Sequence, residues 1–214
     1  MTGPVLAVTS WADNAAMIED CARLGYLKPT DHVLDPTFGR GSWWNNWRPQ
    51  SLTSLADTGA GPSFADGWGD FRHLWMYLDN RFDAAVFDPP YVSKGRATAK
   101  LGDFDARYGL ATHAPGTKRK SPTEIQNDMN AGLSELARVV RPAGYILMKC
   151  MDYISSGKLW LGVYRTTTHA LSLGLEVVDR LEHVHAPGPQ PKGRPQVHAR
   201  RNHSTLLVFR VGKT

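Results

Sequence analysis

The sequence predicts an α/β protein built on a mostly parallel sheet. Two observations favour this fold class. Short apolar segments with the pattern of buried strands alternate along the chain with amphipathic helical segments, and the last two strands are joined by a loop that would make them antiparallel. The 214 residues suffice for one substantial core and are few for two. We therefore expect a single domain over residues 1–214.

The first half of the chain alternates predicted helices and strands. A helix capped by Ser10 or Asp13 should run to Leu24, where Gly25 ends it. Strands are predicted at residues 32–34, 51–56 and 82–87. A tryptophan-rich helix start should follow the first strand, residues 61–69 read as loop, and a helix is expected at residues 71–78.

The second half continues this alternation around two irregular segments. Apolar side chains at spacings of three and four predict a helix over residues 123–140, with Glu124 in its first turn. Further strands are predicted at residues 145–148, 175–181 and 204–211, and a helix at residues 164–173. Residues of about 92–122 and 183–203 lack periodicity and read as basic irregular insertions.

The composition indicates a globular protein with a small net positive charge. Hydrophobic residues make up 42% and charged residues 21%, which argues against global disorder. The formal charge of +5 favours an anionic partner, although such an excess also occurs in proteins that bind nothing charged.

No apolar run approaches the roughly 18 residues of a membrane span, and no signal peptide is evident. Cys21 and Cys150 lack C-x-x-C spacing, so we expect a reducing, cytoplasmic location.

The first strand runs into an acidic, glycine-rich turn. Residues 35–41 read Asp-Pro-Thr-Phe-Gly-Arg-Gly, and an acidic strand end followed by G-x-G is typical of a nucleoside-binding turn. The third glycine of the dinucleotide fingerprint is absent, because Trp44 stands at its position. We therefore expect a compact nucleoside cofactor without a pyrophosphate.

Two further carboxylates follow in the same half of the chain. Asp57 comes directly after the second strand and could hold both hydroxyls of a ribose, or it is a loop aspartate before Thr58. Asp70 precedes the helix predicted at residues 71–78. It is therefore the N-cap of that helix, a ligand of an adenine amino group, or both.

The tetrapeptide Asp88-Pro89-Pro90-Tyr91 follows the apolar strand at residues 82–87. The strand must stop there, since neither proline has an N–H to donate to a sheet. A carboxylate, two stiff carbonyls and an aromatic ring then lie at a strand's carboxyl end, where open α/β sheets bind ligands. Asp88 and a proline carbonyl could accept the two hydrogens of an exocyclic amino group while Tyr91 stacks on the base. The alternative is a proline turn after a core strand.

Both irregular segments are rich in basic residues. The first of them directly follows the tetrapeptide, which predicts a segment that contacts nucleic acid, with basic groups on phosphates and aromatic rings on bases; the alternative is a solvated loop. Lys149 lies at a strand end, where it could contact a phosphate or be an ordinary strand-end lysine. The residues predicted to contact nucleic acid are Lys94, Arg96, Lys118, Arg119, Lys120, Lys149, Arg194, Arg200 and Arg201.

Two other clusters of side chains are predicted to carry no chemistry. Histidines in the C-terminal irregular region favour a solvated loop over a metal site; they are His183, His185, His198 and His203. Trp43, Trp44 and Trp47 are predicted to pack a helix rather than to form a base-stacking platform.

The motifs in this order resemble those of a known class of enzymes. The D-P-x-F-G-x-G turn, the later D-P-P-Y tetrapeptide and the terminal strand pair resemble Rossmann-like class I S-adenosylmethionine-dependent methyltransferases. The closest resemblance is to DNA amino-methyltransferases of the small bacterial and phage form. Segments 149–152 with 156–157, and 201–204, are also similar to that group. The resemblance implies a mostly parallel seven-stranded sheet with an antiparallel C-terminal strand.

The resemblance also implies roles for individual residues. S-adenosyl-L-methionine would be the cofactor, and the residues that would bind it are Asp35, Pro36, Thr37, Phe38, Gly39, Gly41, Asp57 and Asp70. The amino-group site would consist of Asp88, Pro89, Pro90 and Tyr91. No metal is required. Family members with strict sequence specificity usually carry a target-recognition region, and only the two basic segments remain here for that purpose.

The implied reaction is direct in-line methylation of an exocyclic amino group on a flipped nucleobase. Aspartate rather than serine at the head of the tetrapeptide favours adenine N6 in DNA over cytosine N4. Two alternatives remain open. One is an RNA methyltransferase that acts on adenine N6 or guanine N2, and the other is a catalytically silent methyltransferase fold that serves as a nucleic-acid-binding subunit.

Overall fold

The computed structural model describes residues 6–7, 11, 13–56, 65–91, 120–184, 195–199 and 201–212. The strands of these parts are β1 His32–Asp35, β2 Ser51–Ala56, β3 Gly67–Trp68, β4 Phe82–Phe87, β5 Val140–Cys150, β6 Tyr153–Ser155, β7 Lys158–Trp160, β8 Glu176–Val184 and β9 His203–Arg210. The helices are α1 Asn14–Arg23, a 3-10 helix Ser42–Trp44, α2 Pro122–Val139 and α3 Gly162–Ser172. None of the described helices has the length and hydropathy to cross a membrane.

Seven strands form one sheet in the order β3-β2-β1-β4-β5-β9-β8. The strands from β3 to β5 in this order pair in parallel, and β9 is antiparallel to both β5 and β8. The predicted fold class is therefore confirmed. The chain leaves β1 towards β2 and later returns to place β4 on the other side of β1. This reversal puts the topological switch point of the sheet at the carboxyl ends of β1 and β4.

The sheet separates two apolar clusters, one on each face. On the first face, α2 and α3 cover β4 and β5, and fully buried side chains such as Phe87, Leu133 and Phe209 fill the space between them. On the second face, α1 and the 3-10 helix pack on the sheet through residues that include Ile18 and Val33. Burial of this apolar surface from water is the main force that holds the helices on the sheet.

Local signals place the helix ends close to their predicted positions. The Asp13 side chain accepts a backbone N–H of the first turn of α1 at 2.8 Å, while the alternative cap Ser10 lies outside the described residues. Helix α2 starts at a capping box formed by Ser121 and Glu124. Gly25 and Gly174 end α1 and α3 with φ values of 86° and 77°, which glycine adopts without strain.

The prediction of a helix at residues 71–78 is wrong. The segment is a series of turns, and side chains of α2 hold its backbone. The Glu135 carboxylate accepts the N–H of Leu74 at 2.7 Å. The Arg138 guanidinium donates to the carbonyls of Leu74 and Tyr77 at 3.0 and 2.9 Å. These long-range bonds take the place of the i to i−4 bonds of a helix. The preceding stretch, predicted as loop, contains the short edge strand β3.

Two other elements also differ from the sequence prediction. The helix start expected after the glycine-rich turn is only the 3-10 turn Ser42–Trp44. The chain after β5 forms an unpredicted hairpin of β6 and β7. Ser156 and Gly157 at its tip have φ values of 49° and 75°, as a two-residue hairpin turn requires. Strand β8 extends to Val184 and β9 begins at His203, so the irregular segment between them is shorter than predicted.

The expected single domain stays a prediction. Most of the first basic insertion, residues 92–119, lies outside the described residues, and so do residues 185–194 of the second.

Gly132 of α2 lies where this helix packs closely on the sheet. A Cβ there would lie 2.6 Å from Phe87 Cζ and 2.8 Å from Phe71 Cδ2. We expect Gly132→Ala to lower the free energy of unfolding by about 1–3 kcal/mol through overpacking, despite the better helix propensity of alanine. Asn127→Ala, at an exposed position of the same helix, should change it by less than about 0.5 kcal/mol. Urea unfolding measures both, and an unchanged Gly132→Ala midpoint would contradict the expectation.

Candidate functional site

The carboxyl ends of β1 and β4 bring the two acidic motifs into contact. Asp35 is the last residue of β1, and Asp88 directly follows β4. The backbone N–H of Asp88 donates to the Oγ1 atom of Thr37 at 2.9 Å. The glycine-rich turn therefore holds the first residue of the tetrapeptide directly.

Asp35 is buried and organises the turn that follows it. Its Oδ1 atom accepts the backbone N–H of Thr37 at 3.0 Å, and its Oδ2 atom accepts the indole N–H of Trp44 at 2.8 Å. Burial raises the pKa of Asp35 to about 7, against the lowering effect of these hydrogen bonds, and the nearby Asp88 carboxylate adds to the rise. Asp35 therefore titrates close to neutral pH.

The glycines of the turn adopt a backbone conformation that other residues rarely take. Gly39 and Gly41 have φ values of 56° and 71°. A Cβ at Gly41 would lie 2.5 Å from the ring of the buried Phe38, and the Phe38 N–H donates to the Leu55 carbonyl at 3.1 Å. Pro36 is buried and Gly39 is exposed. The open side of the turn is therefore bare backbone that a ligand could approach closely.

The Asp88 carboxylate has an acceptor atom that no described residue uses. Its Oδ1 atom is buried and has no hydrogen-bond partner in the described part of the chain, while the Trp43 side chain donates to the carboxylate. Burial raises the pKa of Asp88, and the Lys149 ammonium and the Trp43 hydrogen bond oppose this rise. Buried polar atoms are usually paired, so the free oxygen indicates a position for a donor group.

The other residues of the tetrapeptide contribute stiff or planar groups. Pro89 is buried and Pro90 is exposed. Tyr91 is partly buried, and its side chain packs against the apolar cluster on the α2 face. The tetrapeptide thus combines a carboxylate, proline carbonyls and an aromatic side chain at the switch point of the sheet.

Lys149 lies in the interior rather than on a surface that could reach a phosphate. Its side chain is only 3% exposed. The Nζ atom donates to Asn14 Oδ1 at 2.6 Å and lies 5.2 Å from the centroid of the Trp43 ring. Burial lowers the pKa of Lys149, and the Asp88 carboxylate opposes this effect. The position differs from the predicted phosphate contact because Asn14 and Trp43 surround the ammonium in place of water.

No protein-family model matches the sequence, and no curated protein matches it. Solved structures do match. A candidate methyltransferase from Bacillus halodurans C-125 is 14% identical over 95% of this chain and 100% of its own, with a TM-score of 0.54. An S-adenosylmethionine-dependent methyltransferase from Methanosarcina mazei is 9% identical over 89% of this chain and 97% of its own, with a TM-score of 0.51. The chain has the Rossmann-like fold of class I methyltransferases.

A third match is a candidate DNA modification methylase from Thermus thermophilus, solved with S-adenosylmethionine. It is 14% identical over 68% of this chain and 54% of its own, with a TM-score of 0.45. The chain therefore spans about half the length of this methylase.

Two more residues, Asp57 and Asp70, were predicted to bind the cofactor. Asp57 lies outside the described residues, and Asp70 is described. Asp70 accepts hydrogen bonds from Arg72 Nε and Nη2 at 2.8 and 2.7 Å, and Arg72 also bonds to Asp128 of α2 at 3.1 Å. The guanidinium holds the pKa of Asp70 well below its usual range. Asp70 caps no helix, because turns follow it, and its contact with an adenine group stays a prediction.

Three of the residues predicted to contact nucleic acid are described. Lys149 is buried, as shown above. Lys120 is exposed at the end of the first insertion and pairs with Asp128. Arg201 is partly exposed and donates to the Ala199 carbonyl at 2.8 Å. The others lie outside the described residues; they are Lys94, Arg96, Lys118, Arg119, Arg194 and Arg200.

The C-terminal histidines occupy a pair of strands and a loop. His183 and His203 lie on the paired strands β8 and β9, and the His198 ring forms a hydrogen bond with the Gly157 carbonyl at 2.9 Å. His185 lies outside the described residues. Within the described parts of the chain, no three His, Cys, Asp or Glu side chains come together in a way that could hold a metal ion.

Three side chains that contact the site were not predicted from the sequence. Trp43 and Trp44 were predicted to pack a helix, yet both are buried and donate to carboxylates, Trp43 to Asp88 and Trp44 to Asp35. A usable signal existed for Trp44, because a buried tryptophan and a buried aspartate both need partners and these two lie close together in the sequence. Asn14 gives no such signal, since only the fold brings it to Lys149.

The raised pKa of Asp35 predicts a pH dependence of stability. Between an unfolded pKa of about 4 and a folded pKa of about 7, the folded protein holds a proton that the unfolded chain has lost. The free energy of unfolding therefore falls as pH rises through this window, by on the order of a few kcal/mol. Asp35→Asn should lack this contribution.

The measurement is urea unfolding of the wild type and Asp35→Asn at several values from about pH 5 to about pH 8. The difference between the two proteins cancels other titrating groups, such as His32, whose lowered pKa acts in the opposite direction. Equal slopes against pH for the two proteins would contradict the assignment to Asp35.

Proposed function

We propose that this protein transfers a methyl group from S-adenosyl-L-methionine to an exocyclic amino group of a nucleobase, with adenine N6 in DNA as the target. The observation that carries the proposal is the buried, unpartnered Oδ1 atom of Asp88. It lies beside the glycine-rich turn at the switch point of the sheet, where open α/β folds bind their ligands. The class I methyltransferase fold supports the same reaction class.

The turn at residues 35–41 fits a nucleoside cofactor without phosphates. The left-handed Gly39 and Gly41 expose backbone for close approach, and the third glycine that a pyrophosphate would require is absent. Asp57 and Asp70 are proposed to bind the ribose and the adenine of the cofactor. S-adenosylmethionine, when bound there, supplies an electrophilic methyl group on a sulfonium centre.

The tetrapeptide is proposed to hold the target amino group. Its nitrogen is a poor nucleophile, because the lone pair is delocalised into the ring of the base. Asp88 Oδ1 and the Pro89 carbonyl would each accept one amino hydrogen, which localises the lone pair and fixes its direction. Both acceptors stand on a stiff segment that Thr37 anchors through the Asp88 N–H, so little reorganisation is needed during the reaction.

The base must leave the helical stack to reach this site, because its amino group is inaccessible within a duplex. Tyr91 is proposed to stack on the flipped base and to offset part of the unstacking cost of a few kcal/mol. The net charge of +5 and the predicted basic contacts, of which Lys120 and Arg201 are described and not buried, favour an anionic polymer as the substrate. An aspartate at the head of the tetrapeptide is the basis for proposing adenine.

The test is transfer of labelled methyl from S-adenosylmethionine to matched pools of duplex DNA, single-stranded DNA and total RNA, followed by nucleoside analysis. Labelled N6-methyladenine in DNA is the expected product. Labelled N4-methylcytosine, or label confined to RNA, would replace the proposed target with the corresponding alternative. Cofactor binding without label in any pool would overturn the proposed activity and favour a silent nucleic-acid-binding subunit.

Asp88→Ala removes the carboxylate that is proposed to accept an amino hydrogen. We expect kcat to fall by about 10²–10³ or more, while the Kd for S-adenosylmethionine stays within about threefold, or roughly 0.7 kcal/mol. Asp79→Ala changes a surface aspartate whose side chain is 68% exposed and should leave both values unchanged. Single-turnover kinetics and calorimetry provide the two measurements. Loss of cofactor binding together with turnover in Asp88→Ala would indicate a structural role instead.

Tyr91 supplies the proposed stacking surface for the flipped base. Tyr91→Ala should raise the KM for nucleic acid by about tenfold, because base stacking on an aromatic ring contributes about 1–3 kcal/mol. Tyr91→Phe keeps the ring and should stay near the wild type. Steady-state kinetics with duplex DNA measures both, and a wild-type KM for Tyr91→Ala would refute the stacking role.

A further inference from the structure

The strand register places Asp88 and Lys149 side by side on the same face of the sheet. Phe87 of β4 pairs with Met148 of the parallel strand β5, and the next residues on the two strands are Asp88 and Lys149. Phe87 and Met148 both belong to the apolar cluster on the α2 face. Because side chains alternate along a strand, Asp88 and Lys149 point to the opposite face, which α1 and the 3-10 helix cover.

The groups in direct contact with the Lys149 ammonium hold it without neutralising its charge. Asn14 accepts one N–H at 2.6 Å, and the Trp43 ring lies against the charge at 5.2 Å, a favourable cation–π distance. Both partners are uncharged. The ammonium of a lysine that is only 3% exposed needs a counter-ion to remain charged. Among the described residues, Asp88 is the carboxylate whose charge acts on Lys149.

Asp88 in turn experiences charges of both signs. The Asp35 carboxylate, at the end of β1, repels a charge on Asp88. Lys149, from β5, attracts it, and the uncharged Trp43 of the 3-10 helix donates a hydrogen bond to it. Helix α1 contributes only the neutral Asn14 to this group. Asp35 is buried, and so is the Oδ1 atom of Asp88. Carboxylates close together tend to keep one proton between them, so a nearby cation favours the charged form of Asp88.

We propose that Lys149 is the positioning residue for Asp88: its ammonium, held by Asn14 and Trp43, is the counter-ion that keeps the Asp88 carboxylate charged and able to accept a hydrogen of the target amino group. The inference rests on the proposed function, since that function requires Asp88 as an acceptor. A protonated Asp88 would offer a donor at one of its oxygens. The amino group would then lose part of the interaction that localises its lone pair.

The direct test is the titration of Asp88 by carbon NMR of carboxyl-labelled aspartate, without nucleic acid or cofactor, with Asp88→Asn used to assign its signal. Lys149→Met keeps the length of the side chain and removes the charge. The Asp88 pKa should rise by about one unit or more in Lys149→Met. Lys28→Met, which changes an exposed lysine before β1, should leave the Asp88 pKa unchanged. An unchanged Asp88 pKa in Lys149→Met would overturn the proposal.

A second variant tests the proposal even where Lys149→Met fails to fold. Asn14→Ala keeps the lysine and removes its 2.6 Å partner, and α1 retains its cap at Asp13. Without this partner the Lys149 ammonium is held less firmly and should stabilise the charge of Asp88 less. The Asp88 pKa should therefore rise, but by less than in Lys149→Met. No rise in Asn14→Ala would overturn the assigned role of this contact.

The pH profile of methyl transfer gives a readout that a merely structural role would not move. In Lys149→Met, the acidic limb of the kcat profile should shift to higher pH by as much as the Asp88 pKa. At a pH below both pKa values, a shift of one unit lowers kcat about tenfold, and kcat should recover at high pH. The KM for S-adenosylmethionine should change little.

A loss of kcat that is equal at all pH values would instead indicate a merely structural role for Lys149 and overturn the positioning role. The two proposals can fail separately. If the wild type transfers no methyl group, the proposed function fails, whereas the NMR titration still decides whether Lys149 is the counter-ion of Asp88.

Discussion

The site depends on one hydrogen bond, from the Asp88 N–H to the hydroxyl of Thr37. It joins the first residue after β4 to the turn after β1, two segments that are distant in sequence and become neighbours only because the strand order reverses between β1 and β4. The glycine-rich turn is itself fixed by the two bonds that Asp35 accepts. The proposed cofactor turn and the proposed amino-group site therefore form one rigid unit rather than two independent loops.

A small set of buried polar groups surrounds this unit, and aromatic side chains satisfy most of them. Trp44 and Trp43 donate to Asp35 and Asp88, and the ring of Trp43 also faces the Lys149 ammonium. Such a network is strong when complete, because each bond is formed in a low dielectric, and costly where a member is left unpaired. The one unpartnered atom in this network, Asp88 Oδ1, is the position where a ligand would gain most.

Local patterns in the sequence predicted most elements of the sheet, and long-range contacts explain the errors. Strands such as 82–87 were recovered because buried strands leave an apolar pattern. The helix at residues 71–78 was wrong because Glu135 and Arg138, far along the chain, bind its backbone. The two site motifs could be recognised from their residue types and from their order along the chain. Lys149 was interpreted as a possible phosphate contact or an ordinary strand-end lysine, because no local pattern connects it to Asn14 and Trp43, which contact its ammonium.

The placement of Asp88 beside the buried Lys149 has a consequence for how this protein could vary. Replacing charged groups of low exposure by apolar side chains of similar volume removes their desolvation cost and is often neutral or stabilising. Leucine at position 88 with methionine at position 149 would therefore preserve or raise thermal stability and abolish the acceptor. Selection for stability alone would not retain the pair. Relatives in which selection maintains catalysis should therefore keep both charged residues. Relatives that keep the fold without the activity should not.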